Sequence, residues 1–147
     1  EAMKEAGITK EAGLQQMQSY TADETFKFVQ DMITANPDMK AIWIQTDQPA
    51  IGALRAIKAA RKDGQILVAA FDGIPEFVDL LKSGQIVATG MQQPYLMGEK
   101  SAGALVDHIN GKTPEKEILV PILGVTSENI EQLLPTVKET VFANEMK

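Results

Sequence analysis

The stretch Ile66-Leu67-Val68-Ala69-Ala70-Phe71 runs straight into Asp72-Gly73. An uncharged run of this length is a strand, and it delivers a carboxylate to the edge where an open α/β sheet presents its ligand-facing loops. A second strand-like run, Ala41-Ile42-Trp43-Ile44-Gln45, ends the same way, on Thr46-Asp47. Two polar strand ends in one small domain imply a cleft that grips a hydroxyl-rich molecule. They do not by themselves imply chemistry on it.

Outward from these strands, periodicity and punctuation order the rest of the chain. Glu1 to Glu5 reads as the tail of a helix, Gly7 and Gly13 break the chain, and Leu14 to Gln18 reads as a strand. Thr21-Ala22-Asp23-Glu24 fits a capping box, with Phe26, Val29 and Ile33 following at helical spacing to Asn36-Pro37. A helix from about Gln48 carries Ile51, Leu54 and Ile57 on one face and stops at Asp63-Gly64. Pro75 opens a short helix closed by Ser83-Gly84, and Ile86 to Met91 is a further strand. Tyr95 to Ile109 is a helix with Ala102, Leu105, Val106 and Ile109 as its apolar stripe. Ile118 to Leu123 reads as a strand interrupted by Pro121, which suits an edge or a crossover. Ser127 caps a last helix, which Pro135 should kink or split. Strands alternate with helices throughout, so the expected fold class is α/β, a Rossmann-like parallel sheet flanked by helices and joined by right-handed crossovers.

Composition narrows the function classes. With 147 residues the chain holds one core, or one core and part of another. No apolar run approaches the ~18–20 residues of a membrane span. The N-terminal Glu1-Ala2-Met3-Lys4-Glu5 lacks the basic start and apolar stretch of a secretion signal, which excludes nothing about export, because a mature chain carries none. The net charge of −6 comes without clustered Lys and Arg, so no nucleic-acid surface is expected. The absence of cysteine excludes disulfides and thiolate zinc sites. His108, the single histidine, sits near a helix C-terminus with no Cys or second His nearby, so no metal or catalytic role is assigned to it. Gly98-Glu99-Lys100-Ser101 fails as a phosphate loop, since Glu99 interrupts Gly-Lys and the upstream Gly is missing. No cofactor is expected.

Asp47…Gly52-Ala53-Leu54-Arg55-Ala56, Phe71-Asp72-Gly73, Gly84-Gln85-Ile86-Val87-Ala88-Thr89 and Gln92-Gln93-Pro94…Gly98 occur in this order. Together they resemble the C-terminal portion of periplasmic sugar-binding proteins of the ribose/galactose type, the substrate receptors of bacterial ABC importers. The likeness covers nearly the whole chain. It implies two Rossmann-like lobes joined by three crossing strands and closing over a sugar. Residues 1–91 and 125–147 would then form the C-terminal lobe, and 93–123 would cross into the N-terminal lobe, the rest of which would precede Glu1. A segment shaped for a missing sheet would expose the Leu105, Val106 and Ile109 stripe, so the chain is either a piece of a longer protein or self-associates through that surface. The resemblance further implies a membrane permease as partner. It implies a periplasmic location, or an extracellular, membrane-tethered one in an organism without an outer membrane.

Six residues are candidates for the ligand site. Asp72 at the sheet edge can accept two hydroxyl hydrogen bonds, and charge-assisted bonds are about twice as strong as neutral ones. Its other reading is a turn former in Asp72-Gly73-Ile74-Pro75. The resemblance implies that Gln92 supplies an amide at the hinge, and that Tyr20 stacks on the apolar face of a sugar. It puts Thr46 where the family often carries a sugar-binding Asn, a departure that leaves the ligand's identity open. Asp47 reads either as the cap of the following helix or as a ligand contact, and Phe71 as cleft or core. Trp43, in mid-strand, reads as core. The function implied is a receptor that captures a monosaccharide-like ligand without transforming it. The alternative is the effector-binding core of a sugar-responsive repressor, which would need a DNA-binding module before Glu1. An enzyme using Asp47 and Asp72 as an acid/base pair is not expected, because nothing else resembles a nucleophile with its base.

Overall fold

The computed structural model describes residues 2–143; Glu1 and residues 144–147, placed by the sequence in the first helix and the last lobe segment, lie outside the described residues. The described chain runs α1 (Ala2–Glu5), α2 (Ala22–Ala35), β1 (Ala41–Trp43), α3 (Asp47–Ala59), β2 (Leu67–Asp72), α4 (Phe77–Lys82), β3 (Ala88–Met91), α5 (Pro94–Ile109), β4 (Leu123–Thr126) and α6 (Ile130–Thr136). The sheet order is β1-β2-β3-β4. The α/β class holds. The first three strands are parallel, Ala41 opposite Leu67 and Ala69 opposite Ala88. The wholly parallel expectation is corrected at β4, which runs antiparallel with Thr89 opposite Val125. It returns from the long α5 excursion by a loop, so no right-handed crossover fixes its direction.

The core lies on one face of the sheet. Val68 and Ala70 of β2, Met91 of β3 and Val125 of β4 are buried there with Ala50, Ala53 and Ile57 of α3, Phe77 and Leu81 of α4, and Ile130 of α6. The period-two alternation sends Trp43, Leu67, Ala69, Phe71 and Gly90 to the other face, where Trp43 is 56% and Leu67 51% exposed. Trp43 is therefore corrected from core to surface. On α5 no residue is buried, and Leu105, Val106 and Ile109 are exposed.

Three other expectations fail for physical reasons, the Ser127 cap of the last helix among them. Leu14 to Gln18 forms no strand: its polar run offers little to bury, Leu14 is 90% exposed, and the amide of Gln18 bonds the Glu24 carboxylate instead of a neighbouring strand. Ile118 to Leu123 is not the last strand either; pairing begins only at Leu123, after Pro121, which has no N–H to give. The last helix starts at Ile130, because Asn129 accepts the Thr126 amide proton and donates to the Gly124 carbonyl, closing a turn over 127–129. Pro135 does divide that helix: after Thr136 it continues as a π-helical segment, Val137–Val141.

Candidate functional site

β1, β2 and β3 end side by side, and three polar side chains meet there. The Thr46 hydroxyl donates to one Asp72 oxygen, and Gln92 Nε2 donates to the other at 2.7 Å. The Gln92 backbone N–H also bonds the Asp72 carbonyl at 2.8 Å, extending the β2–β3 ladder by one residue. Thr46 occupies the N-cap of α3, yet its side chain makes no capping bond; the hydroxyl is turned to Asp72. A carboxylate offers about four lone-pair sites, so each Asp72 oxygen keeps capacity for another donor. Asp72 adopts φ 120°, which costs a non-glycine residue on the order of 1–3 kcal/mol and is characteristic of sites where geometry outranks relaxation.

These residues line a cleft of about 710 Å³ together with Tyr20, Trp43, Gln45, Gln48 and Phe71. That volume falls within the ~300–1,000 Å³ of small-ligand pockets. The wall is aromatic and the rim carries amides, a hydroxyl and a carboxylate, a composition matched to a molecule with apolar C–H faces and hydroxyl edges. Phe71 is half-buried, its ring lying over Gly90 so closely that an added Cβ there would come within 2.8 Å of it. Tyr20 is 49% exposed at φ 52°, on a loop pinned from both sides. Glu24 takes the Gln18 and Ser19 amides at 2.9 Å each, and its own amide is capped by Thr21 Oγ1 at 3.2 Å. The capping box is thus half formed: Thr21 caps, while the Glu24 carboxylate fastens the preceding loop. Those bonds, first the one from Gln18, hold the Glu24 carboxyl below the usual carboxylate range.

Asp47 is placed differently. It is 1% exposed and does not line the cleft, which corrects its reading as a ligand contact. Nor is it the helix cap; it is the first residue of α3. Its Oδ2 accepts the amide protons of Gly73 at 2.6 Å and Ile74 at 2.8 Å, and its Oδ1 faces the Thr89 hydroxyl at 3.4 Å. Burial pushes its pKa up to about 6, with the nearby Asp72 charge adding to the rise. Of the predicted residues, Asp72, Gln92, Thr46, Tyr20 and Phe71 share the cleft. Gln45, Gln48 and Trp43 were missed. The alternation of exposed Ala41, Trp43 and Gln45 with the more buried Ile42 and Ile44 carried the signal for two of them. Gln93, beside the cleft residue Gln92, does not line the cleft; it is buried, and its Nε2 donates to the Pro121 carbonyl at 2.7 Å.

Comparison with known proteins gives this arrangement a lineage. The profile of a family described as a periplasmic binding protein domain matches residues 1–113. The chain belongs to the periplasmic binding proteins. A ribose import binding protein of Haemophilus influenzae is 38% identical over 99 residues, which cover 67% of this chain and 33% of that protein. A D-apiose import binding protein of Actinobacillus succinogenes is 30% identical over 122 residues, 81% of this chain and 39% of the relative. Among solved structures, a solute binding protein of Agrobacterium vitis with bound D-fucose superposes with a TM-score of 0.75 at 31% identity, over 87% of this chain and 44% of that one. A periplasmic ribose ABC transporter protein of Conexibacter woesei superposes with a TM-score of 0.83 at 26% identity, over 90% and 45%. The chain therefore spans about a third of the length of these curated relatives and less than half of the solved chains. These periplasmic-binding-protein relatives are sugar-binding transport proteins, of the ribose type that the sequence resembles.

Proposed function

We propose that this chain forms the sugar-contacting lobe of a solute receptor that delivers a monosaccharide to an ABC importer in the periplasm. The observation that carries the reading is the convergence of Thr46 and Gln92 on the Asp72 carboxylate at the rim of an aromatic-walled cleft. Asp72 and Gln92 hold hydroxyls, Thr46 adds a smaller polar contact, and Tyr20 and Phe71 cover the apolar ring face. Residues 1–91 and 125–147 make up this lobe, and 93–123 cross to a second one. The bond from Gln93 to Pro121 supports that division, since it ties the start of the excursion to its end. The exposed Leu105, Val106 and Ile109 of α5 are the contact face toward the second lobe. A ligand touching both lobes favours their closed arrangement, which the permease then recognises. In this reading the protein captures the sugar without transforming it, in keeping with relatives that are named import binding proteins.

The test is a thermal-shift screen of the full-length protein against pentoses, hexoses, polyols and nucleosides. A saturable stabilisation by an aldose, abolished in Asp72→Ala, is the expected result. No shift from any sugar, or turnover of one, overturns the reading. Size-exclusion of the same protein should give a monomer; an oligomer that dissociates when Leu105 and Ile109 are made polar would move the α5 face to self-association.

A further inference from the structure

Asp47 is the second carboxylate of this region, and the cleft does not use it. Among the described residues no Lys, Arg or His forms an ion pair with it. Its Oδ2 takes the two amides that immediately follow Asp72, while its Oδ1 faces the Thr89 hydroxyl. Asp72 at φ 120° and Gly73 at φ 98° are consecutive residues outside the backbone region that L side chains favour. A segment in that state relaxes unless its surroundings hold it on both flanks. The upstream flank is held by the sheet, through the Gln92 amide on the Asp72 carbonyl. The downstream flank is held by Asp47, which reaches across from the first turn of α3.

We propose that Asp47 is a positioning residue: by taking the Gly73 and Ile74 amide protons it fixes the backbone that aims the Asp72 carboxylate at Thr46, Gln92 and the cleft, and so sets affinity for a hydroxyl-rich ligand. The affinity clause rests on the receptor reading above; the geometric clause does not. Hydrogen-bond acceptance at this point, rather than charge, is the essential property. An amide oxygen at position 47 supplies it, and a methyl group does not.

Two arms test this in the full-length protein. Crystal structures without ligand compare wild type, Asp47→Asn and Asp47→Ala. In Asp47→Ala the Asp72 side chain leaves Thr46 and Gln92, while in Asp47→Asn it stays; Asp72 unmoved in Asp47→Ala overturns the proposal. Calorimetric titration with D-ribose and D-allose then reads affinity well below each variant's melting temperature. Asp47→Ala weakens binding by about tenfold or more, and Asp47→Asn stays within about threefold of wild type. Ile130→Ala, a core change in α6, lowers stability without changing Kd, which separates positioning from general destabilisation. Equal affinity in wild type and Asp47→Ala overturns the affinity clause. Failure of wild type to bind either sugar counts against the receptor reading, and the structural arm still decides the geometry. Should Asp47→Ala not fold, Asp47→Ser is read in its place, its hydroxyl being too short to reach both amides.

Discussion

At Asp72 two energies oppose each other, and a substitution separates them. The residue gives up on the order of 1–3 kcal/mol to hold φ 120°. It recovers part of that through the Thr46 and Gln92 bonds, each worth about 0.5–1.5 kcal/mol where water competes. Asp72→Gly removes the bonds and the strain together, so unliganded stability by urea melting should move by less than about 1 kcal/mol. The same variant should lose all ligand-induced stabilisation. Asp72→Ala removes the bonds but keeps the strained backbone, so it should melt about 1–2 kcal/mol below Asp72→Gly. An Asp72→Gly protein that keeps its ligand-induced stabilisation would return Asp72 to a turn former with no binding role. Asp72 was legible because a carboxylate follows an uncharged strand run. Asp47 was misread because its partners, the Gly73 and Ile74 amides, lie 26 and 27 residues away, and no local pattern reports them.

The elements that deliver these residues depend on one close approach. Helices α2 and α3 pack so tightly at Gly52 that an added Cβ would lie 2.0 Å from the Ala22 carbonyl oxygen, a backbone atom that cannot swing aside. Gly52→Ala should therefore destabilise the protein by about 3 kcal/mol, the upper end of overpacking costs, although alanine is the better helix former. Chemical denaturation measures it. A neutral or stabilising result would mean the helices are not in contact there. Because α3 begins with Thr46 and Asp47, and α2 begins beside Tyr20, the same change should also weaken sugar binding. The buried strands and amphipathic helices were legible because their apolar spacing records burial. Leu14 to Gln18 and Ile118 to Leu123 were not, because strand formation needs a neighbour to pair with, and apolar spacing does not name one. The antiparallel direction of β4 was hidden for a related reason: a strand's direction is set by its connection, here the α5 excursion, and not by its own residues.

Over the whole molecule, the costs of charge burial add into a pH profile. In the folded protein Asp47 titrates near pH 6, against 3.8 when exposed, chiefly because it is desolvated and secondarily because Asp72 faces it; Thr89 is the neutral polar neighbour from β3. A raised folded pKa means that the native state binds more protons than the unfolded one between these values. Stability therefore rises as pH falls from 6 toward 4, and above 6 the full cost of the buried charge is carried. That cost is on the order of 2–3 kcal/mol. Glu24 and Asp38 act in the opposite sense: hydrogen bonds from Gln18 and Lys10, respectively, lower their folded values, so what they contribute is lost at still lower pH. The predicted profile climbs on acidification below neutrality, then turns over as those exposed carboxylates protonate. Asp47→Asn keeps an acceptor for Gly73 and Ile74 without a charge to bury. It should match wild type at about pH 3.5, below the unfolded value, exceed it by about 2–3 kcal/mol at pH 7.5, and lose the climb between them. Urea denaturation of both proteins at the two pH values measures the difference. A wild-type protein no less stable at pH 7.5 than at pH 5, with Asp47→Asn running parallel to it, would show that Asp47 ionises at no cost.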